Sequence, residues 1–346
     1  MIGGLMYKIG IIGCGKIAQV RHIPEYIANS KAEIKAVYDI NRNRAEEIAL
    51  KVGATAYEEI DELLSSDLDA VSICTSNDSH AEIAVKALEK GINVLCEKPM
   101  AVTLESAERM VDAAEKSGKI LMIGQNQRLN GTHMRAHDLI MRGEIGRVIS
   151  FETVFAHSGP ETWSIDPGKN TWFFDKKKAV MGAMADLGIH KTDLIRFLLD
   201  DDISSVSAKI ATLDKRGADG SLIAVDDNAF VIYTMKSGAV GIMRASWTNY
   251  GPENNSTVIY GSEGVMNIFV NPEHSIEVVK KNGERDFYDV EKIQTNDSQT
   301  SSGVIDAFIE SLDRGYTDIS GEDVLKSMKA VFAALESAEK GKEERV

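Results

Sequence analysis

Asp186 and His190 stand four residues apart in a stretch whose other members, Met184, Leu187, Ile189, Leu194, Ile195 and Leu198, are mostly apolar. On a helix, residues i and i+4 share one face, so the pair is expected to be at least half buried. A carboxylate beside an imidazole raises its basicity and fixes its tautomer. That arrangement suits a general base that takes the proton of an alcohol. The same spacing could hold a metal ion, but no further histidine or cysteine cluster completes such a site, and none is expected. The plainer alternative is a buried histidine satisfied by its helix neighbour. A third group, Lys98, lies between Glu97 and the turn-rigidifying Pro99. An ammonium at a strand end can donate to a substrate hydroxyl or a cofactor amide; the alternative is an ordinary surface lysine.

These groups need elements to place them. Gly10–Ala18 reads Gly-Ile-Ile-Gly-Cys-Gly-Lys-Ile-Ala, with Gly13, Gly15 and Ala18 in Gly-x-Gly-x-x-Ala spacing. Gly13 permits a tight strand-to-helix turn, Gly15 lets the backbone approach a pyrophosphate, and Ala18 lets the helix pack on the strand. The helix start at Lys16 and Ile17 then aims free N–H groups at phosphates. The second strand, Ile34–Tyr38, ends at Asp39, 21 residues after Ala18. A carboxylate there suits both ribose hydroxyls and favours NAD over NADP, although Arg42 and Arg44 nearby leave NADP open.

The alternation continues through strands at Ala70–Cys74, Asn93–Cys96 and Ile120–Ile123 and helices at Lys16–Ser30, bent near Pro24, Arg44–Val52, Ala81–Lys90 and Ala107–Lys116. Such alternation gives right-handed crossovers and a parallel sheet, whose ligands bind at the carboxyl ends of the strands. The glycine turn, Asp39, the polar loop Thr75–His80 and Glu97–Pro99 all fall at those ends. Beyond it, Val148–His157 alternates, with Ile149, Phe151, Thr153 and Phe155 on one side. The loop Gly159–Lys178 carries Trp163, Trp172, Phe173 and Phe174 and could wall a sugar pocket, with Trp172 and Asp175 as candidate substrate contacts. Strand-like runs then continue to Val279, followed by helices near Val304–Arg314 and Glu322–Lys340 and a charged tail, Glu339–Arg345, expected to fray. The expected fold class is α/β: a Rossmann parallel sheet plus a C-terminal α+β domain with a large, mostly antiparallel, open-faced sheet.

At 346 residues the chain is long enough for two domains. It is 43% hydrophobic and 27% charged, as globular proteins are. A net charge of −14 argues against nucleic-acid binding through a basic surface. No apolar run reaches the roughly 20 residues that span a bilayer, and Met1–Met6 lacks the pattern of a signal peptide. Cys14, Cys74 and Cys96 have no metal-like spacing and read as buried thiols in a reducing cytoplasm.

Cys74-Thr-Ser-Asn-Asp-Ser-His80, Gly91 and Val94-Leu-Cys-Glu-Lys-Pro99, joined to Gly182-Ala-Met-Ala-Asp186-Leu-Gly-Ile-His190-Lys-Thr-Asp193 and Tyr260-Gly-Ser-Glu-Gly264, resemble the Gfo/Idh/MocA oxidoreductases. The resemblance runs from Lys8 through the chain; Met181 departs from it, standing where relatives often have another glycine. It implies that the loop of Thr75, Ser76, Asn77 and His80 closes over the cofactor, that Glu97 and Lys98 lie beside it, and that Gln125 meets its nicotinamide end. It implies catalysis by Lys98, Asp186 and His190 on a secondary alcohol of a sugar, inositol or related polyol, with NAD as cofactor. It also implies a dinucleotide-binding domain over 6–126 and a substrate and oligomerisation domain over 127–346, paired through the sheet as a homodimer or homotetramer. Rival readings are an NADP-dependent reductase of a keto-sugar or dicarbonyl, a non-catalytic redox sensor, and a lyase or hydrolase that oxidises transiently.

Overall fold

The computed structural model describes residues 6–291 and 301–346. The reading of Met1–Met6 falls, but for Met6, outside the described residues. The chain forms two compact units. One holds the residues up to Gln125 and those from 301 to Leu325; the other holds Asn126 to Glu291 and Lys326–Val346.

In the first unit, strands β1 (Tyr7–Ile12), β2 (Ala32–Tyr38), β3 (Thr55–Ala56), β4 (Ala70–Ile73), β5 (Asn93–Cys96) and β6 (Leu121–Ile123) form one sheet, ordered β3-β2-β1-β4-β5-β6. Every pairing is parallel. Helices cover both faces, so strand residues such as Ile9, Ile11, Val71, Ile73 and Val94 are fully buried. Strand order reverses between β1 and β4, where such sheets bind ligands.

The helix expected over Lys16–Ser30 is interrupted. Ala18–His22 is a π-turn, in which the Ile23 N–H reaches back five residues to Ala18 O, and Ile23–Ala28 is α-helical. Pro24 has no N–H and its ring crowds the carbonyl four residues earlier; a widened turn ahead of it relieves both.

The helix Val304–Arg314 was expected in the second domain, yet it groups with the first unit. The reason is a long-range cap. The buried Glu25 carboxylate accepts from the N–H of Ser302 at 2.7 Å and from its hydroxyl at 3.1 Å. Asn29 bonds Asp306, and Tyr7 and Lys31 both bond Asp313. After this helix, Ile319 O accepts from the N–H of Ile123 in β6.

The second unit carries a nine-stranded sheet of β7 (Val148–Ala156), β8 (Ile203–Ala211), β9 (Asn228–Met235), β10 (Val240–Ser246), β11 (Thr257–Gly261), β12 (Gly264–Ile268), β13 (Ile276–Lys280), β14 (Arg285–Tyr288) and β15 (Glu344–Arg345). Its order is β14-β13-β12-β11-β7-β10-β9-β8-β15, antiparallel but for the parallel β7–β10 pair. One face is core, with Phe151, Val231, Tyr233, Met243 and Ile259 at 1% exposure or less. The other leaves Phe230, Ile232, Val240 and Ile242 exposed. Ile149 was grouped with the buried side of β7 but is exposed, because it lies at the strand's open end. The charged tail does not fray: Glu344 and Arg345 pair with Val206 and Ser205 of β8, and Lys340 and Lys342 flank the Glu344 carboxylate. β14 has no counterpart in the sequence reading, since its Arg-Asp-Phe-Tyr carries no alternation long enough to register.

Candidate active site

The predicted cofactor residues lie in the first unit, around the glycine turn. Gly13 has φ +92°, and a Cβ there would meet the Cys74 carbonyl oxygen at 2.6 Å, so the turn requires glycine twice over. A Cβ on Gly15 would meet nothing within 4 Å. The turn is therefore clear of side chains where a phosphate would approach, above the half-buried helix start at Lys16 and Ile17. Asp39, 8% exposed, braces this cradle: Oδ2 accepts from the Cys14 N–H at 2.7 Å and Oδ1 from the Asn41 N–H at 2.8 Å. Its remaining lone pairs fit ribose hydroxyls. Arg44 stands 3.6 Å from Asp39 Oδ1. Burial, and then Asp39, push the Cys14 thiol up to about 12, so it is not a reactive thiolate.

The loop after β4 is tied down internally. Ser79 Oγ donates to Thr75 Oγ1 at 2.7 Å, and Ser76 Oγ donates to Asp78. Asn77 is buried. His80, 1% exposed, sits between two backbone carbonyls, with Nδ1 2.8 Å from Pro99 O and Nε2 3.2 Å from Thr75 O. Burial holds it below the usual histidine range against those carbonyls, and its Nδ1 contact ties this loop to the Lys98-Pro99 turn. Gln125, at the end of β6, is 1% exposed, and neither its Nε2 nor its Oε1 has a hydrogen-bond partner among the described residues. A buried amide left in that state is set for a polar group from outside the chain. The residues present therefore fit a dinucleotide.

Lys98 is half-buried and follows Glu97, which is 5% exposed. Glu97 was expected beside the cofactor. Its carboxylate is engaged by the chain itself, by His22 Nε2 at 2.9 Å and the Lys98 N–H at 3.3 Å. Burial pushes its pKa up, but the His22 hydrogen bond and charge, then Arg21 and Lys98, bring it down to about 2.

The predicted acid–base pair lies in the second unit. Asp186 falls in a second π-turn, Met184–Gly188, where the Ile189 N–H reaches back to Met184 O. His190 follows in the helix Ile189–Leu199. Both side chains are 7% exposed. The turn is held by Asp226, whose carboxylate accepts from the N–H groups of Gly182 and Met184, each at 2.7 Å. Gly182 is obligatory, because a Cβ there would overlap the Asp226 carbonyl oxygen. The helix beyond is pinned by a two-pronged Arg128–Asp193 pair, both bonds 2.6 Å, and by Thr192 Oγ1 against Tyr233 OH.

Two residues outside the motifs complete this site. The fully buried Trp247 donates its indole N–H to Asp186 Oδ2 at 3.0 Å. His157 Nδ1 accepts from the Gly159 N–H at 2.9 Å, which places its ring proton on Nε2, 4.0 Å from the same oxygen. The Trp247 N–H makes that oxygen an acceptor, and the His157 N–H faces it from beyond hydrogen-bond distance. Trp247 was a strand residue in the sequence reading. His157 carried one signal, a histidine closing an alternating strand. Around them, Phe155 lies 5.9 Å from His190, and Trp163 packs edge-on to His157 and Phe173. Trp172 stacks on Phe173 at 3.9 Å and is half-buried. Asp175 is exposed and accepts from the Lys177 N–H, a turn residue. Among the described residues, no group of three or more His, Cys, Asp or Glu could hold a metal ion.

The family profile described as "Oxidoreductase family, NAD-binding Rossmann fold" matches residues 7–125, and the GFO/IDH/MocA C-terminal domain profile matches 133–267. The chain is 35% identical over 235 residues to glucose-6-phosphate 3-dehydrogenase of Bacillus subtilis (strain 168), an alignment spanning 67% of this chain and 65% of that protein. It is 25% identical over 341 residues to myo-inositol 2-dehydrogenase of Thermotoga maritima, spanning 96% of each. A solved levoglucosan dehydrogenase in complex with NADH superposes with a TM-score of 0.86 at 25% identity, over 98% of this chain and 99% of that one. With both profiles falling on the two sheets in order, and the glycine turn and the Asp186–His190 segment inside them, the chain belongs to the GFO/IDH/MocA oxidoreductase family, with its NAD-binding Rossmann fold.

Proposed function

We propose that the protein is an NAD-dependent dehydrogenase acting on a secondary alcohol of a sugar, inositol or related polyol. The observation that carries this is the Asp186 carboxylate, kept as an acceptor by Trp247 and facing His157, one helical turn before His190. His190 takes the hydroxyl proton, Asp186 orients it or holds a neighbouring hydroxyl, and Lys98 donates to the reacting oxygen. Bound NAD supplies the hydride acceptor. Gly13, Gly15, Lys16 and Ile17 receive the pyrophosphate, Asp39 the adenine ribose, and Gln125 the nicotinamide end; Thr75, Ser76 and Asn77 cover the cofactor. Trp172 lines the sugar side. The names of the relatives supply a first panel: glucose 6-phosphate, levoglucosan and myo-inositol, assayed for NADH formation. Lys98→Ala and His190→Ala should lose turnover and keep NAD binding. Near-wild-type turnover in His190→Ala would sink its assigned role. Tighter binding of NADP than of NAD would overturn the reading of Asp39.

The exposed Phe230, Ile232, Val240 and Ile242 support pairing of subunits through the open sheet as a homodimer or homotetramer. Three buried free thiols support a reducing, cytoplasmic setting. No helix among the described residues is long and apolar enough to cross a membrane.

A further inference from the structure

Glu97 is the hub of a buried polar chain that the roles above leave unused. His22 Nε2 lies 2.9 Å from Glu97 Oε1, and His22 Nδ1 lies 3.3 Å from Ser72 Oγ. Ser72 Oγ lies 2.7 Å from Tyr26 OH. Arg21 Nη1 stands 3.8 Å from Glu97 Oε1, and the Lys98 N–H donates to Glu97 Oε2 at 3.3 Å. His22 and Ser72 are fully buried and Tyr26 is 1% exposed.

An ionised carboxylate only accepts, so His22 Nε2 carries a proton and donates to Glu97, while Ser72 Oγ lies between His22 Nδ1 and Tyr26 OH. A buried chain of this kind holds the imidazole in place and gives the Glu97 oxygens one position. The π-turn supplies the upper end. Arg21 and His22 are adjacent in sequence, both are buried, and both face the same carboxylate oxygen. The helix carrying them starts at the glycine turn. The lower end is the amide of Lys98 itself.

We propose that His22, supported by Arg21, is a positioning residue for Lys98. It holds Glu97 so that the carboxylate grips the Lys98 amide and sets the direction in which the ammonium leaves the end of β5. The helix whose N-terminus meets the pyrophosphate thereby also sets the lysine. This rests on the reading of Lys98 as the donor to the reacting oxygen.

The test is competitive acetylation of the full chain with acetic anhydride, read by mass spectrometry, with the exposed Lys35 and Lys51 as internal standards. Relative labelling of Lys98 should change at least threefold in His22→Leu and return towards wild type in His22→Gln, which restores a donor. Glu97→Gln should shift it in the same direction as His22→Leu, and stands in if that variant does not fold. NADH binding by fluorescence should stay within threefold in all of them. On the polyol panel, kcat should fall at least tenfold in His22→Leu with KM within threefold, and His22→Gln should recover most of it. Wild-type labelling of Lys98 in both His22→Leu and Glu97→Gln, or a change that His22→Gln fails to reverse, overturns the proposal. If instead Lys98→Ala forms NADH at the wild-type rate, the catalytic reading of Lys98 falls, and the labelling ratio still decides whether His22 positions it.

Discussion

Lys191 follows His190 directly, and its side chain is fully buried in the second unit. Its ammonium reaches Asn255 O at 3.2 Å and Thr257 Oγ1 at 3.4 Å. Burial, only partly offset by Glu253, lowers its pKa from 10.5 to about 7. The neighbouring His133, held down to about 3 by burial and by Lys191, stays neutral and offers no counter-charge. The folded protein therefore binds this proton more weakly than the unfolded chain, and stability rises with pH between about 7 and 10.5. At about 1.4 kcal/mol per pH unit, carrying the charge at pH 6 costs about 5 kcal/mol, and shedding it at pH 9 still costs about 2 kcal/mol. Lys191→Met removes that cost and fills similar volume. It leaves the Asn255 carbonyl oxygen short of a donor, at about 1–3 kcal/mol whatever the pH, while Thr257 Oγ1 keeps its partner Thr153 Oγ1. The variant should therefore be more stable than wild type by about 2–4 kcal/mol at pH 6 and near equal at pH 9. The three tryptophans, Trp163, Trp172 and Trp247, all lie in this unit, so their fluorescence in urea reports it selectively. A variant-minus-wild-type difference that stays flat from pH 6 to 9 would refute the reasoning, because packing effects alone carry no such slope.

Trp247→Phe keeps the ring and removes the N–H on Asp186 Oδ2. A hydrogen bond to a charged group contributes about 1.5–3 kcal/mol, so kcat/KM on the active polyol should drop by roughly 10- to 100-fold, measured as NADH formation. Gly182→Ala forces a methyl group onto the Asp226 carbonyl. It should lower urea stability by about 1–3 kcal/mol and depress kcat through the displaced Asp186 turn, with NADH binding by the first unit unchanged.

The parts of this protein that were legible in its sequence are those written as local rules. Gly13 is demanded by a positive φ and a close approach, Gly118 closes the helix Leu104–Ser117 in the left-handed region, and β1, β4 and β5 read as short apolar runs because both their faces are buried. What escaped depends on long-range partners. Nothing near residue 304 announces that its helix is capped by Glu25, and nothing near residue 344 announces a strand partner in β8. Lys191 is written like any surface lysine, and only the fold shows it without water. Trp247 looks like a core residue and is one, but its single polar atom is spent on Asp186.

Both π-turns belong to this second class, and they bear on how the site is built. A 3.6-residue pattern reads Ala18–His22 and Met184–Gly188 as ordinary helix. In each, however, the backbone reaches back five residues, which re-aims the side chains that follow. The first brings Arg21 and His22 onto Glu97; the second carries Asp186 against Trp247 and leads into His190. The i, i+4 argument for Asp186 and His190 was made for an α-helix that the segment does not wholly adopt, so shared direction is not what qualifies the pair. What qualifies it is what surrounds it: Trp247 just after β10, which donates to Asp186, His157 just after β7, and the Asp226 cap. A residue spacing nominates such a pair, and the partners that hold it come from elsewhere in the chain.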